Sequence, residues 1–391
     1  MTGPLDGVQV LDRTRLQPGN YATMLMGDLG AEVIKVEEPG RGDYVRWMPP
    51  MVGQMSAAHL VLNRNKKSVT LNLKSDGGPD LLKRLVSDAD VLIESFRPGV
   101  MQRLGVGYEE LCDAKPDLIY AAITGYGQDG PYRDRAGHDI NYVAISGVLG
   151  ATGQPGGDPV VPSVQIADLS GSMMAVVGIL SALIRKATSG KGVFIDVSMM
   201  DASLSWLALH LAPWFAGAPQ LKKGEGLLNG GYPFYRTYRC GDGKHLSVGA
   251  LEPQFWGTLC RALELEDLIP EQYASGDRLQ QLHAIFEKTF LQRPRDEWVR
   301  ILSGLETCVA PINDFEEMSR DLQVLARKMI TEKELKGFGP FKELGVALKL
   351  AGAPGSVRRS APDLGQHNDE VYARVGLSET QIEALRAGGV I

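Results

Sequence analysis

Residues 8–37 of the chain read VQVLDRTRLQPGNYATMLMGDLGAEVIKVE. The β-rich run at 8–11 predicts a strand, and a second such run follows at 33–36. Between them, Pro18 and Gly19 open a helical pattern that ends at Gly30, and a glycine is common just beyond a helix C-terminus. A strand, a helix and a strand in this order are typical of a βαβ unit and therefore of a parallel sheet.

The same alternation continues along the chain. Further strands are predicted at 69–73, 91–96, 118–123 and 193–197, and helices at 81–86, 168–184 and 199–215. We therefore predict an α/β fold, with a doubly wound, mostly parallel, Rossmann-like sheet in a large domain over residues 1–215. Residues 216–231 are rich in Gly, Pro and Lys and predict a linker. The pattern then predicts a smaller α+β domain over residues 232–330.

The composition excludes several classes of protein. The chain has 391 residues, of which 47 are acidic and 41 basic, and its formal net charge of −6 argues against nucleic-acid binding. The longest apolar stretch, 173–184, is shorter than the ~20 residues that span a bilayer, so no membrane association is expected. The four cysteines form no CxxC pair and the first residues resemble no secretory signal. We expect a cytoplasmic protein without disulfides or structural zinc.

Familiar catalytic motifs are missing from the sequence, which has no P-loop, GxGxxG, HExxH or GxSxG pattern. Three residues remain as acid–base candidates. His138 precedes the apolar run 142–149 and is a helix cap, a hydrogen-bonded core residue or a catalytic group. Asp168 begins a long apolar helix, where an aspartate is often the N-cap. Glu252 comes directly before Pro253, as at an ordinary helix start.

Several segments, kept in order over essentially the whole chain, resemble the family III CoA-transferases. They are the stretch from Leu11 to Glu37, NRNKKS at 63–68, FRPG at 96–99, GYGQ at 125–128 and LGQH at 364–367. The segment AGHDINY at 136–142 resembles the α-methylacyl-CoA racemase branch, because true transferases of the family usually carry Tyr or Phe at the position of His138. NGG at 229–231 and VGALEPQF at 248–255 are also similar to racemases.

The resemblance implies a large domain that is built from both ends of the chain. Residues 331–391 would then complete the large domain, and the small domain would be an insertion. The resemblance also implies a homodimer in which the two chains interlock, so that folding and dimerisation are one process.

The same resemblance implies the chemistry. A racemase removes the proton α to a thioester and returns it from the opposite face, for which two bases are the simplest solution. His138, supported by Glu252, would serve one face and Asp168 the other, with N–H groups at the start of the helix after Asp168 stabilising the enolate oxygen. In the alternative CoA-transferase mechanism, Asp168 is a nucleophile that forms a mixed anhydride and then an aspartyl-CoA thioester. A second alternative is an acyl-CoA-binding protein without catalysis.

Coenzyme A would enter as part of the substrate, with no metal and no permanently bound cofactor. The resemblance places around it Gln17, Pro18, Leu71, Asn72, Leu73, Lys74, Phe96, Arg97, Pro98, Arg103, Ala136, Gly137 and Asp139. Lys74 and Arg103 are the expected partners of its phosphates.

Three positions, Glu38, Arg13 and Arg15, need separate comment. Glu38 stands where family members often carry Arg, near the adenine end of coenzyme A, so that either Arg41 or Arg46 compensates or the nucleotide end is held loosely. Arg13 and Arg15 could face an acidic acyl group, or could form plain salt bridges.

The methionines Met173, Met174, Met199 and Met200 could form an adaptable surface for an acyl chain. Core packing is the preferred interpretation for all of them.

Overall fold

The computed structural model describes residues 3–335 and 338–391. The chain divides into two compact units. Unit 1 comprises Met1–Ser146, Val164–Trp206 and Gln323–Ile391, and unit 2 comprises Gly147–Ser163 and Leu207–Leu322. Residues from the C-terminal part of the chain thus lie in the same unit as the N-terminal part.

In chain order, the strands are β1 (Gln9–Arg13), β2 (Glu32–Glu37), β3 (Met51–Val52), β4 (Met55–Ser56), β5 (Lys66–Thr70), β6 (Val91–Glu94), β7 (Ile119–Thr124), β8 (Val193–Ser198), β9 (Tyr235–Arg239), β10 (His245–Gly249), β11 (Val309–Pro311), β12 (Ile330–Leu335) and β13 (Gly339–Leu344). The α-helices are α1 (Leu16–Asp28), α2 (Ala57–Leu62), α3 (Gly78–Ser87), α4 (Val100–Arg103), α5 (Tyr108–Ala114), α6 (Asp139–Ile145), α7 (Ile166–Ser189), α8 (Met199–Ser205), α9 (Ala208–Phe215), α10 (Pro253–Ala262), α11 (Gly276–Phe290), α12 (Arg295–Leu302), α13 (Phe315–Arg320), α14 (Leu322–Ala326), α15 (Asn368–Arg374) and α16 (Glu379–Ala387). Short 3₁₀ helices lie at Tyr44–Trp47, Leu149–Ala151 and Glu266–Glu271.

Unit 1 is built on a six-stranded sheet in the order β5-β2-β1-β6-β7-β8. All neighbouring strands in this sheet are parallel. The strand order reverses between β1 and β6, as in doubly wound sheets, so the predicted fold class is confirmed. The sheet packs on an apolar core that includes Leu11, Val36, Leu82 and Leu92.

Strand β5 is displaced from its predicted position, since it occupies Lys66–Thr70 and not 69–73. The prediction followed the apolar residues, whereas the strand begins with two lysines whose side chains are buried. Their charges are paired, because Lys66 Nζ lies 3.0 Å from Asp12 and Lys67 Nζ lies 2.6 Å from Glu370. A buried strand can therefore carry charged residues where each one meets a carboxylate.

Helix α7 extends over 24 residues and is longer than predicted. By length and composition alone it could cross a membrane, but here it packs against α1, β7 and β8 as a core helix. Its outer face is apolar and exposed, with Met173 43% and Met174 39% accessible. Core packing is therefore the wrong interpretation for these two methionines, whereas Met199 is buried.

Unit 2 contains an antiparallel sheet of β9, β10 and β11. One face of this sheet packs on an aromatic core shared with α10, α11 and α12. Within that core, the Trp256 and Phe286 rings stack with centroids 5.1 Å apart, and the Tyr238 and Phe290 centroids are 4.8 Å apart. Aromatic burial of this kind stabilises a small unit, because each ring removes a large apolar area from water.

The limits of unit 2 differ from those predicted. Residues 147–163 belong to it although the sequence placed them in the large domain, and so does the segment 207–231. The two segments lie against each other, since Gly224 approaches Pro155 so closely that a Cβ at this glycine would lie 2.4 Å from the proline ring. The single helix predicted over 199–215 is divided at Trp206 into α8 and α9.

A cluster of buried charges ties α1 to the sheet of unit 1. The Asp12 carboxylate accepts hydrogen bonds from Thr23 Oγ1 at 2.6 Å and from Lys66 Nζ at 3.0 Å. Lys35 Nζ lies 2.9 Å from Asp43 and donates to Asn20 Oδ1 at 2.6 Å. We name Asp12, Asn20, Lys35, Asp43 and Lys66 together the Asp12 cluster.

A second set of buried contacts joins the C-terminal segment to the same sheet. Asn65 Oδ1 accepts hydrogen bonds from the backbone N–H groups of Arg358 and Arg359, at 2.6 and 3.0 Å. Arg64 pairs with Asp28 at 2.6 Å and also donates to the backbone carbonyl of Leu344. The arginine thus satisfies one buried carboxylate and one buried carbonyl of a distant segment.

We expect Arg64→Met to destabilise the protein by about 3–5 kcal/mol, because Asp28 would be left as a buried carboxylate without its partner. The matched control is Arg320→Met, which removes an exposed i,i+4 pair with Glu316 and should cost less than about 1 kcal/mol. Thermal and urea unfolding of the purified variants measure both effects. Equal, small changes in the two variants would contradict a structural role for the Arg64 pair.

Candidate active site

A cavity of about 720 Å³ lies within unit 2, and one of about 620 Å³ lies within unit 1 at the carboxyl ends of its parallel strands. Only the second of these two is lined by His138 and Asp168. Its wall includes Arg15, Ser95 and Gly125, which follow the ends of β1, β6 and β7. This is where the strand order reverses, the usual binding position in doubly wound sheets.

His138 occupies the N-cap position of α6 and its side chain is exposed to the cavity. Two contacts fix its backbone. The His138 N–H donates to Asn141 Oδ1 at 3.0 Å, and the Tyr142 hydroxyl donates to the Gly137 carbonyl at 2.6 Å. The Tyr142 ring also fills the space that a Cβ at Gly137 would need. His138 is therefore held by its neighbours in the same sequence motif.

Asp168 is the third residue of α7 and not its N-cap, so the N-cap interpretation is wrong. Gln165 takes that position without a side-chain hydrogen bond. Burial, and secondly the nearby charge of Asp139, raise the pKa of Asp168 to about 7. No cation among the described residues contributes to this pKa.

Asp139 joins the two catalytic candidates. Its Oδ1 accepts hydrogen bonds from the N–H groups of Ala167, at 2.6 Å, and Asp168, at 3.1 Å. The N–H of Leu169 is also engaged, by the Gln165 carbonyl at 2.9 Å. The expectation that N–H groups at the start of this helix would receive the enolate oxygen is thus wrong for these three groups.

The structure brings some of the expected coenzyme A contacts together. Those that line the cavity are Pro18, Phe96, Arg97, Pro98, Ala136 and Gly137. Arg133, Arg135, Tyr44 and Tyr126 also line it, although the sequence analysis did not select them. The arginine-rich turn directly before His138 was the signal that could have pointed to the two arginines.

The remaining expected contacts do not line this cavity. Leu71 and Leu73 follow the end of β5, and both are buried in the core of unit 1. Asn72 donates its backbone N–H to the Val390 carbonyl at 2.8 Å. Lys74 is exposed, and Gln17 is half-buried on α1.

Arg103 is exposed near Gly99, beside the cavity wall. Asp139 adjoins the cavity through its bonds to the first turn of α7.

The charged residues near β2 are mostly paired. Glu38 lies 3.1 Å from Arg15, which also contacts the Phe96 and Tyr44 rings. Arg46 cannot replace the missing family arginine, because it is buried in a two-bond pair with Glu37 at 2.6 and 2.7 Å. Arg13 is buried over the Phe96 ring and donates to the Val36 carbonyl.

Arg41 is exposed and remains open as a partner for an anion.

Glu252 lies in unit 2, exposed at the N-cap position of α10, and makes no side-chain capping bond. The helix-start interpretation of this position is therefore confirmed. The support that Glu252 would give to His138 stays a prediction.

We expect Asp168→Asn to raise the stability of the folded protein at pH 8 by about 1–3 kcal/mol. The folded-state pKa of about 7 exceeds the ordinary value of 3.8, so ionised Asp168 costs free energy on folding. The cost is complete above pH 7 and disappears as the pH falls below 3.8, where the carboxyl group becomes protonated in both states. Thermal unfolding across this range measures the difference, with Asp80→Asn on an exposed face of α3 as control. A loss of stability at pH 8 would refute the prediction.

Comparison with known proteins places these features in a family. A sequence profile of CoA-transferase family III matches residues 5–368. The chain is 36% identical over 395 residues to human succinyl-CoA:glutarate CoA-transferase, covering 99% of this chain and 90% of that protein. It is 35% identical over 395 residues to human alpha-methylacyl-CoA racemase, covering 99% and 97%.

A solved structure of a CaiB/BaiF family protein from Brucella suis matches with a TM-score of 0.83 and 30% sequence identity, covering 96% of this chain and 100% of that one. The family that the sequence motifs resemble is thereby confirmed. The chain belongs to CoA-transferase family III.

Proposed function

We propose that this chain is an isomerase that inverts the α-carbon of a 2-methyl-branched acyl-CoA, as an α-methylacyl-CoA racemase does. The observation that carries the proposal is that His138 and Asp168 line one cavity while the pKa of Asp168 lies near 7. A carboxyl group with this pKa releases and accepts a proton with similar ease at neutral pH.

The reaction needs one base and one acid on opposite faces of the α-carbon. In one direction, ionised Asp168 takes the α-proton, and the electron pair of the broken C–H bond enters an enolate delocalised onto the thioester oxygen. Protonated His138 then gives a proton to the other face, and a new C–H bond forms. For the opposite enantiomer the two residues exchange roles. Glu252 is assigned, on the resemblance alone, to support His138.

The surroundings of Asp168 favour an uncharged acyl group. Ile123, Tyr142 and Met199 line the same cavity, and no cation among the described residues contributes to the pKa of Asp168. Apart from Arg15, the arginines of the cavity wall are assigned below to the phosphates of coenzyme A, so the apolar part of the wall is left for the acyl group. Arg15, which could have faced an acidic acyl group, is paired with Glu38.

The coenzyme A moiety is assigned to the same cavity. Arg97, Arg133 and Arg135 line it and can bind phosphate oxygens through their guanidinium groups. Arg97 was among the contacts expected from the sequence, whereas Arg133 and Arg135 add to Lys74 and Arg103; Arg46 is occupied by Glu37. We also propose a homodimer, interlocked as the resemblance implies, because the outer face of α7 exposes several apolar side chains.

The main alternative is CoA transfer with Asp168 as the nucleophile, which the 36% identity to a human transferase favours. That mechanism needs the ionised carboxylate, which attacks the acyl carbon of the donor thioester. With a pKa near 7, Asp168 is present in both protonation states at neutral pH, which suits a group that acts as a base for one enantiomer and as an acid for the other.

The test is incorporation of solvent deuterium into the α-position. The protein is incubated in heavy water with one enantiomer of a 2-methylacyl-CoA, and α-deuterium and stereochemical purity are followed by mass spectrometry and NMR. We expect exchange with racemisation in the native protein. His138→Ala and Asp168→Ala should each reduce racemisation by at least about 100-fold, since each removes one acid–base group.

Two controls make the result specific. Asp80→Ala, on exposed α3, should leave the exchange rate unchanged. If Asp168 is a nucleophile, hydroxylamine or borohydride added with an acyl-CoA donor will trap its mixed anhydride or its aspartyl-CoA thioester. No exchange over a panel of branched acyl-CoAs, together with a trapped Asp168 adduct, would establish the transferase in place of the isomerase.

A further inference from the structure

One carboxylate connects the two helices that carry the proton-transfer residues. Asp139 is the first residue of α6 and follows His138 directly. Its Oδ1 accepts the N–H groups of both Ala167 and Asp168, at 2.6 and 3.1 Å, in the first turn of α7. A side chain attached next to one candidate base therefore holds the backbone of the other.

We propose that Asp139 is a positioning residue that sets the separation of His138 and Asp168 and keeps Asp168 able to carry a proton. This inference rests on the proposed function and deepens it. The resemblance gives Asp139 a different task, contact with coenzyme A. The two assignments differ in what they require, because a positioning residue acts on the chemical step and a coenzyme contact acts on binding.

The geometry supports positioning because the other end of the first turn is also fixed. Ser172 Oγ donates to the Asp168 carbonyl and lies 2.6 Å from the Pro18 carbonyl as well, so this hydroxyl links α7 to α1. Asp139 fixes the first turn of α7 from the side of α6. Without it, the Ala167 and Asp168 N–H groups would lose their acceptor and the start of α7 would be free to shift. A displacement of about 1 Å can cost about 100-fold in rate.

The charge of Asp139 acts on Asp168 in addition to the hydrogen bonds. Among the described groups, burial and Asp139 are the two causes that raise the pKa of Asp168. The ionisable side chains that share the cavity with Asp168 are Arg15, Tyr44, Arg97, Tyr126, Arg133, Arg135, His138 and Tyr142. None of these raises or lowers the pKa of Asp168, while α1 and α8 contribute uncharged Pro18 and Met199 to the wall.

If Asp139 were only a helix cap, its two hydrogen bonds would matter but its negative charge would not. The variants Asp139→Asn and Asp139→Ala separate these cases. Asparagine keeps an oxygen acceptor for the two N–H groups and removes the negative charge, whereas alanine removes both. Asp129→Asn is the matched control, because Asp129 is exposed in the loop between β7 and α6 and does not line the cavity.

The first measurement is the pH dependence of kcat/KM for α-deuterium exchange. In the native protein the acidic limb should fall near pH 7. In Asp139→Asn we expect this limb to move down by about one pH unit, because the like charge no longer opposes ionisation of Asp168. Activity at pH 6 should then exceed that of the native protein, a gain that damage to the fold would not produce. In Asp139→Ala we expect kcat to fall about 10–100-fold with KM changed less than about 3-fold.

The second measurement does not depend on catalysis. Carbon-13 NMR of aspartate-labelled protein follows the Asp168 carboxyl, identified by its absence in Asp168→Asn, and its pKa should fall in Asp139→Asn but not in Asp129→Asn. An unchanged Asp168 pKa in Asp139→Asn would overturn the inference, and so would a raised KM with unchanged kcat in Asp139→Ala. If the native protein shows no exchange, the proposed function fails while the NMR titration still decides the role of Asp139.

Discussion

The Asp12 cluster is the interaction on which the rest of unit 1 depends. Burial raises the pKa of Asp12, but Lys35 and Lys66, together with hydrogen bonds from the Thr14 and Thr23 hydroxyls, lower it by more, so the carboxylate stays ionised in the interior. Each charge is compensated by a residue from another element, since Asp12 lies in β1, Lys35 in β2 and Lys66 in β5. The cluster therefore fixes three adjacent strands and the start of α1 together. Pro18, at that helix start, forms part of the cavity wall.

The carboxyl groups of Asp12 and Asp168 are both largely buried in unit 1, but their pKa values are shifted in opposite directions. Asp12 is paired with two ammonium groups and stays charged, whereas burial and the charge of Asp139 raise the pKa of Asp168. Burial also raises the pKa of Glu94, to about 8, but Glu94 accepts the Phe96 N–H and does not line the cavity, whereas Asp168 does.

The sequence was sufficient to predict the parallel sheet, because the strands of β1, β2, β6, β7 and β8 are marked by apolar runs. It misplaced β5, whose buried lysines look like surface residues until their carboxylate partners are known. The hairpin of β12 and β13 was missed for a related reason, since polar residues alternate along both strands. Likewise, His138 and Asp168 were selected from local motifs, but the bonds from α7 to Asp139 join residues almost thirty positions apart and leave no local pattern.

The contacts between the early strands and the C-terminal segment have a consequence for synthesis on the ribosome. Asn65 bonds to residues 293 and 294 positions later, and Thr70 bonds to Asn368, 298 positions later. These backbone and side-chain groups have no native partner until nearly the whole chain has been made. Unit 2 lies between them in the chain and contains all of its own aromatic core. The order of synthesis thus favours folding of unit 2 before unit 1. The early strands of unit 1 stay without these partners in the meantime, and they are the part of the nascent chain that most needs protection by chaperones.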